Sequence, residues 1–141
     1  MNIYEQYRQT QVQTAKPEQL LLMLYDGAIG FLKRAKVAIE ERNIEEAHTF
    51  LVKTQDIIVE LMVSLNMEVG ELALNLFRLY EYMHHRLVEA NINKDTKPID
   101  EVLRMLQDLR DAWDMAIKKM REEKVETPAT KPLKGGLNIA G

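Results

Sequence analysis

The chain has 141 residues, of which 46% are hydrophobic and 29% charged, with a net charge of −3. That length suits one domain with a single core, and the mild acidity excludes the strongly basic surface that nucleic-acid binding calls for. The lack of cysteine rules out disulfides and thiolate metal sites, and no apolar run approaches the ~20 residues that span a bilayer.

Residues 1–16 are expected to form an N-terminal arm in which Tyr4 and Tyr7, three apart, share one side of a short helix. Two readings fit it: an arm that packs its rings over the end of the fold, or a docking peptide for a partner. The opening MNIYEQYRQTQ has no apolar centre of the signal-peptide kind, so a cytosolic protein without direct membrane insertion is expected by elimination.

The first helix is predicted over 17–42. Pro17 suits its first position because the missing N–H has no partner there in any case; Lys16 is a weak N-cap, which leaves Thr14 to help. Leu21, Leu24, Ala28, Leu32 and Ala35 recur at helical spacing, and further apolar residues around them predict burial on several sides. Gly27 and Gly30 each lower helix propensity by about 1 kcal/mol relative to Ala, so a close backbone approach is expected at both.

The second helix is predicted over 44–65, opened by Asn43 with Glu46 at capping-box spacing. Its inward stripe is Ile44, Ala47, Leu51, Thr54, Ile58, Leu61 and Leu65. After a turn, a third helix over 70–92 turns Leu72, Leu76, Leu79, Tyr80, Met83, Leu87 and Ala90 inward. A polar turn leads to the fourth, over 98–122, with Ile99, Val102, Leu106, Leu109, Trp113, Ala116 and Met120 on its stripe. Short connections force antiparallel neighbours, which predicts an all-α, up-down-up-down four-helix bundle over 17–122. Residues 123–141, with Pro128, Pro132, Gly135 and Gly136, read as a flexible tail.

Phe50 and Ile57, Leu74 and Phe77, and Met105, Ala112 and Met115 lie beside the core stripes. They either seal the helix seams or line apolar grooves for partner helices. The eight methionines suit such adaptable surfaces. Glu45/His48 and Glu81/His84 are two Glu-x-x-His pairs of the kind that builds a di-iron-like centre in bundles. Their places beside the stripes, and the lack of inward carboxylates on the first and fourth helices, argue against a metal centre. A metal-binding bundle nonetheless stands as the alternative reading. No catalytic residue set and no cofactor motif is found. Tyr25 and Tyr80 are expected to bury their rings and hydrogen-bond through their hydroxyls. Asp26, Asp111 and Arg110 are expected to pair across helices, and Trp113 to anchor the core.

Five stretches together resemble the flagellin-specific export chaperone family (FliS). They are Thr14-Ala15 with Pro17 and Leu20; Leu24-Tyr25-Asp26-Gly27-Ala28; and Ile57-Ile58 with Glu60-Leu61 and Ser64-Leu65. The others are Leu79-Tyr80 with Tyr82-Met83, Leu87 and Ala90-Asn91, and Asp108-Leu109-Arg110-Asp111-Ala112-Trp113. The resemblance runs from about Tyr7 to Ala116, and departs from the family at Lys16, at Glu81 and after Met120. It implies a cytoplasmic flagellar secretion chaperone, not an enzyme, that binds the disordered C-terminal segment of flagellin and hides it from premature polymerisation. It also implies delivery to the type III export gate, a membrane protein whose cytoplasmic domain is the second partner. Set against that implication, Phe50, Ile57, Leu74, Phe77, Met105, Ala112 and Met115 are the candidate groove residues, and Tyr4 and Tyr7 the candidate gate-docking residues.

Overall fold

The computed structural model describes residues 16–130, the last seven of them as helical backbone. Its elements are α1 (Pro17–Glu40), α2 (Ile44–Val63), a 3-10 turn (Met67–Val69), α3 (Glu71–Asn93) and α4 (Thr96–Thr130). No strand occurs among the described residues. Residues 1–15, with Thr14 and the arm tyrosines Tyr4 and Tyr7, and residues 131–141 of the expected tail lie outside that range. The chain divides into two units, Met1–Arg110 and Asp111–Gly141. The bundle belongs to the first, and α4 enters it as far as Arg110.

The helix ends follow local chemistry. At the start of α1 the Gln19 side chain accepts from the Lys16 backbone N–H at 3.2 Å, the half of a capping box that the third helical residue supplies. The helix stops at Glu40 because Arg42 is left-handed, at φ 63°; Arg42 N–H then donates to Ile39 O at 3.0 Å and Asn43 N–H to Ala38 O at 2.8 Å. That pair of bonds is a Schellman ending with arginine where glycine is usual. Asn43 next caps α2, its Oδ1 accepting from Glu46 N–H at 3.2 Å, as its spacing predicts. Gly70, at φ 93°, supplies the one glycine-specific turn among the described residues, between the 3-10 turn and α3.

The fourth helix begins two residues before the expected Pro98. Asp95 Oδ1 accepts from Lys97 N–H at 3.0 Å and acts as the cap, so Pro98 falls in the first turn, where its missing N–H costs little. At its other end α4 runs on to Thr130, through residues 123–130 that composition had placed in the tail. Lys124 to Thr127 contain no helix breaker, and Pro128 sits in the last turn, where few hydrogen bonds remain to be lost.

The pairing of helices is antiparallel throughout. Phe31 stacks on Phe50, and a Cβ on Gly27 would touch Ile57, so α1 and α2 run in opposite directions. Asn91 Nδ2 donates to His48 Nδ1 at 2.9 Å, joining the end of α3 to the start of α2. Arg86 Nε donates to Glu101 Oε1 at 2.7 Å across the short α3–α4 connection. Lys36 pairs with Asp100 at 2.8 Å and Arg110 with Asp26 at 2.9 Å, which closes the ring between α4 and α1.

The core takes Leu24, Ala28, Leu32, Ala35 and Ala38 from α1 and Ala47, Leu51, Thr54, Ile57, Ile58 and Leu61 from α2. Ala73, Leu76, Tyr80, Met83, Leu87 and Ala90 of α3 join them, with Ile99, Val102 and Leu106 of α4. Tyr25 and Tyr80 are fully buried on diagonally opposite helices and share a 2.5 Å hydrogen bond between hydroxyls, as expected. Thr54 satisfies its hydroxyl on Phe50 O at 2.8 Å within its own helix.

Several inward assignments need correction. Ile44, Leu72 and Leu79 are exposed, and Ala73 takes the inward place on α3. Leu65 is half-buried, beyond the end of α2. Leu109 and Trp113 are half-buried, while Ala116 and Met120 are exposed, because the α4 stripe shifts by one residue to Ile117. A strict heptad drifts about 20° per seven residues against a straight helix, and that drift accumulates along α4.

The glycines of α1 are not alike. A Cβ on Gly27 would meet Ile57 Cδ1 at 3.4 Å, an ordinary contact, whereas one on Gly30 would meet nothing within 4 Å. The close approach expected at Gly30 is therefore absent. Gly30→Ala should stabilise the protein by about 0.5–1 kcal/mol through the unfolded chain and helix propensity, read as a higher urea midpoint with an unchanged m-value.

Candidate functional site

The four seams of the bundle close in different ways. Ion pairs seal α4–α1, and His48 with Asn91 marks the outer end of α2–α3. On α3–α4, Glu101 is the hub: Tyr82 Oη donates to its Oε2 at 2.7 Å and Arg86 to its Oε1, while Arg86 Nη1 also donates to Glu89 at 2.8 Å. The Tyr82 hydroxyl and then the Arg86 guanidinium hold the Glu101 carboxyl below its usual value. A depressed carboxyl contributes stability that is complete above its unfolded value, near 4.5, and lost as pH falls through the lower folded value. Thermal melts of wild type and Glu101→Gln should therefore differ at pH 7 and converge as pH falls below that value.

The α1–α2 seam carries no ion pair among the described residues. Phe31 and Phe50 stack there at 6.0 Å between centroids and 25° between planes. Arg34 lies 5.6 Å from the Phe50 centroid, and Lys53 Nζ lies 5.5 Å from Phe31 and 5.7 Å from Phe50. Both rings are half-buried, so apolar area remains at the surface beside two cations.

The seven candidate groove residues do not share one place. Phe50 belongs to this aromatic seam, with Phe31 as the neighbour that spacing alone did not nominate. Ile57 is withdrawn from the surface: it is 1% exposed and packs against α1 at Gly27. Leu74, 37% exposed, and half-buried Phe77 stand on one side of α3, and Phe77 is two heptads from Asn91 on the side toward α2. Met105 is half-buried, one turn beyond Glu101 on the side of α4 toward α3. Ala112 and Met115 are exposed on α4 within the second unit. Other exposed apolar side chains include Leu72 and Leu79, which the stripes had assigned inward, and Val63, Val69 and Ile92 near helix ends. Their common signal was position, since each lies at an end of α2 or α3 or one residue off the buried register.

The Glu-x-x-His pairs do not assemble. Glu45 and His48 are exposed on α2, Glu81 is exposed on α3, and His48 is engaged by Asn91. No three of His, Cys, Asp and Glu gather in a metal-holding group among the described residues. His85 approaches Glu89 only at 4.0 Å, and Glu89 is bonded instead to Arg86. No described helix is long and apolar enough to cross a membrane.

Comparison with known proteins adds a second line. The model of the family described as flagellar protein FliS matches residues 1–120. The flagellar secretion chaperone FliS of Bacillus subtilis is 42% identical over 123 residues, covering 87% of this chain and 92% of that protein. The flagellar secretion chaperone FliSB of Pseudomonas aeruginosa is 41% identical over 119 residues, covering 81% and 94%. A crystal structure of a flagellar chaperone from bacteria superposes with a TM-score of 0.70 at 23% identity, over 82% of this chain and 95% of that one, and speaks for the fold.

Proposed function

We propose, from the premise that this chain belongs to the FliS family of flagellar secretion chaperones, that it binds the disordered C-terminal segment of flagellin in the cytoplasm. Bound there, the segment folds into helices against apolar surface, is kept from premature polymerisation and is delivered to the type III export gate. The relatives' shared name supports the flagellar secretion role. The observation that carries the binding reading is the large apolar side chain left at the surface of a small bundle, from Leu72 at 60% exposed to Ile92 at 75%. Soluble domains keep such area exposed mainly where something else covers it. A disordered client suits several separate seams better than one deep pocket, because an extended chain can wrap a surface and lose affinity to its own ordering, which later permits release.

Titration calorimetry of the full chain with a peptide covering the last ~40 residues of the host's flagellin tests this reading. Stoichiometric binding with a clearly negative heat-capacity change is expected; no heat at tens of micromolar would sink it. Phe50→Glu and Met105→Glu should each weaken the titration while leaving the thermal melt near wild type. The export-gate role rests on Tyr4 and Tyr7. Their double replacement by Ala should reduce binding to the gate's cytoplasmic domain and spare the flagellin titration.

A further inference from the structure

Three seams of the bundle join polar or charged partners to each other, whereas the α1–α2 seam is marked by two stacked rings. Arg34 and Lys53 stand over the Phe31–Phe50 stack, and neither forms an ion pair among the described residues. A cation held over a ring face keeps its N–H donors, since the ring uses only the charge. Two unspent cations therefore flank an apolar surface of two stacked rings, both half-buried.

We infer that this patch recognises an acidic amphipathic helix of a partner protein. The partner's apolar side chains lie on the Phe31–Phe50 stack, and carboxylates beside them pair with Arg34 and Lys53. Charge complementarity selects this occupant. A basic segment of equal hydrophobicity meets two like charges at the edge of the same rings, and that juxtaposition discriminates more strongly than apolar contact does. The inference rests on the client-binding reading in taking a helix-forming segment as the partner, and adds the chemistry by which this seam chooses it.

The test needs no flagellin. Two synthetic helical peptides with the same Leu/Phe face, one flanked by Glu and one by Lys, are titrated against the full-length chain by fluorescence anisotropy. The Glu-flanked peptide should bind about fivefold tighter or more, the scale of two exposed ion pairs. The preference should shrink as salt rises from ~50 to ~500 mM. Arg34→Gln and Lys53→Gln should each reduce it, whereas Lys33→Gln, an exposed lysine that stands over neither ring, should not. Arg34 is exposed, so its variant keeps the fold even if that of half-buried Lys53 does not. Equal binding of the two peptides, tighter binding of the Lys peptide, no binding of either, or a preference untouched by Arg34→Gln would each overturn the inference. If the Glu preference holds and the flagellin peptide does not bind, the flagellin reading falls and this one stands. Flagellin binding without any charge preference gives the reverse.

Discussion

Ile57→Asp is expected to unfold the bundle, while Leu74→Asp leaves it standing. Both side chains are apolar and both lie beside a core stripe in sequence, yet Ile57 is 1% exposed and Leu74 is 37% exposed. An aspartate at 57 would be placed against α1 at Gly27, away from solvent. It must either stay charged without solvent or take up a proton, and either course adds to the loss of the buried sec-butyl contacts. The expected cost is about 4 kcal/mol or more, a large share of the roughly 5–15 kcal/mol that holds a domain folded. At Leu74 the new carboxylate reaches water, and the cost should stay within about 1 kcal/mol. Urea titration followed by circular dichroism separates the two. A native-like midpoint for Ile57→Asp would mean that α1 and α2 do not meet as described. The result also guards the binding experiments, because loss of a client by a position-57 variant would report unfolding and not a missing groove contact.

Ala28→Leu should cost about 1–3 kcal/mol although both residues favour helices almost equally. Ala28 is fully buried one turn from Leu24 and one from Leu32, on the helix that meets α2 on one side and α4 on the other. Buried Ala35 and Ala38 continue the same stripe, so small side chains set how closely α1 is approached. Three added carbons must displace a neighbouring helix or force strained rotamers. Since propensity hardly changes, the loss measures packing alone. The matched experiment is Gly30→Ala on the same helix, where the added methyl meets open space and the sign should reverse. A stable Ala28→Leu with a normal m-value would show a core with room to spare.

The two cations of the aromatic seam bear on both readings of this protein's surface. A client helix that lies over the Phe31–Phe50 stack meets the Arg34 and Lys53 side chains at the rings. On α3–α4 the same approach would compete with the hydrogen bonds that Glu101 receives from Tyr82 and Arg86.

The amino-acid pattern alone dictated the number of helices, their antiparallel order and most of the core, because a 3.6-residue apolar period and short connections admit few other arrangements. It also determined the Asn43 cap and the burial of the two family tyrosines. What it left to the tertiary structure are features in which two distant stretches meet. The Phe31–Phe50 stack joins α1 to α2, and Arg34 and Lys53 matter only once the two rings are side by side. Ile57 and Leu74 look alike on a helical wheel and differ because one faces a neighbouring helix and the other faces water. Leu72 and Leu79 kept the expected spacing and still emerged at the surface, since the helix register turned Ala73 inward. A period states that one face of a helix is apolar; which degree of rotation that face takes, and which neighbour covers its edges, is settled by packing against the other helices.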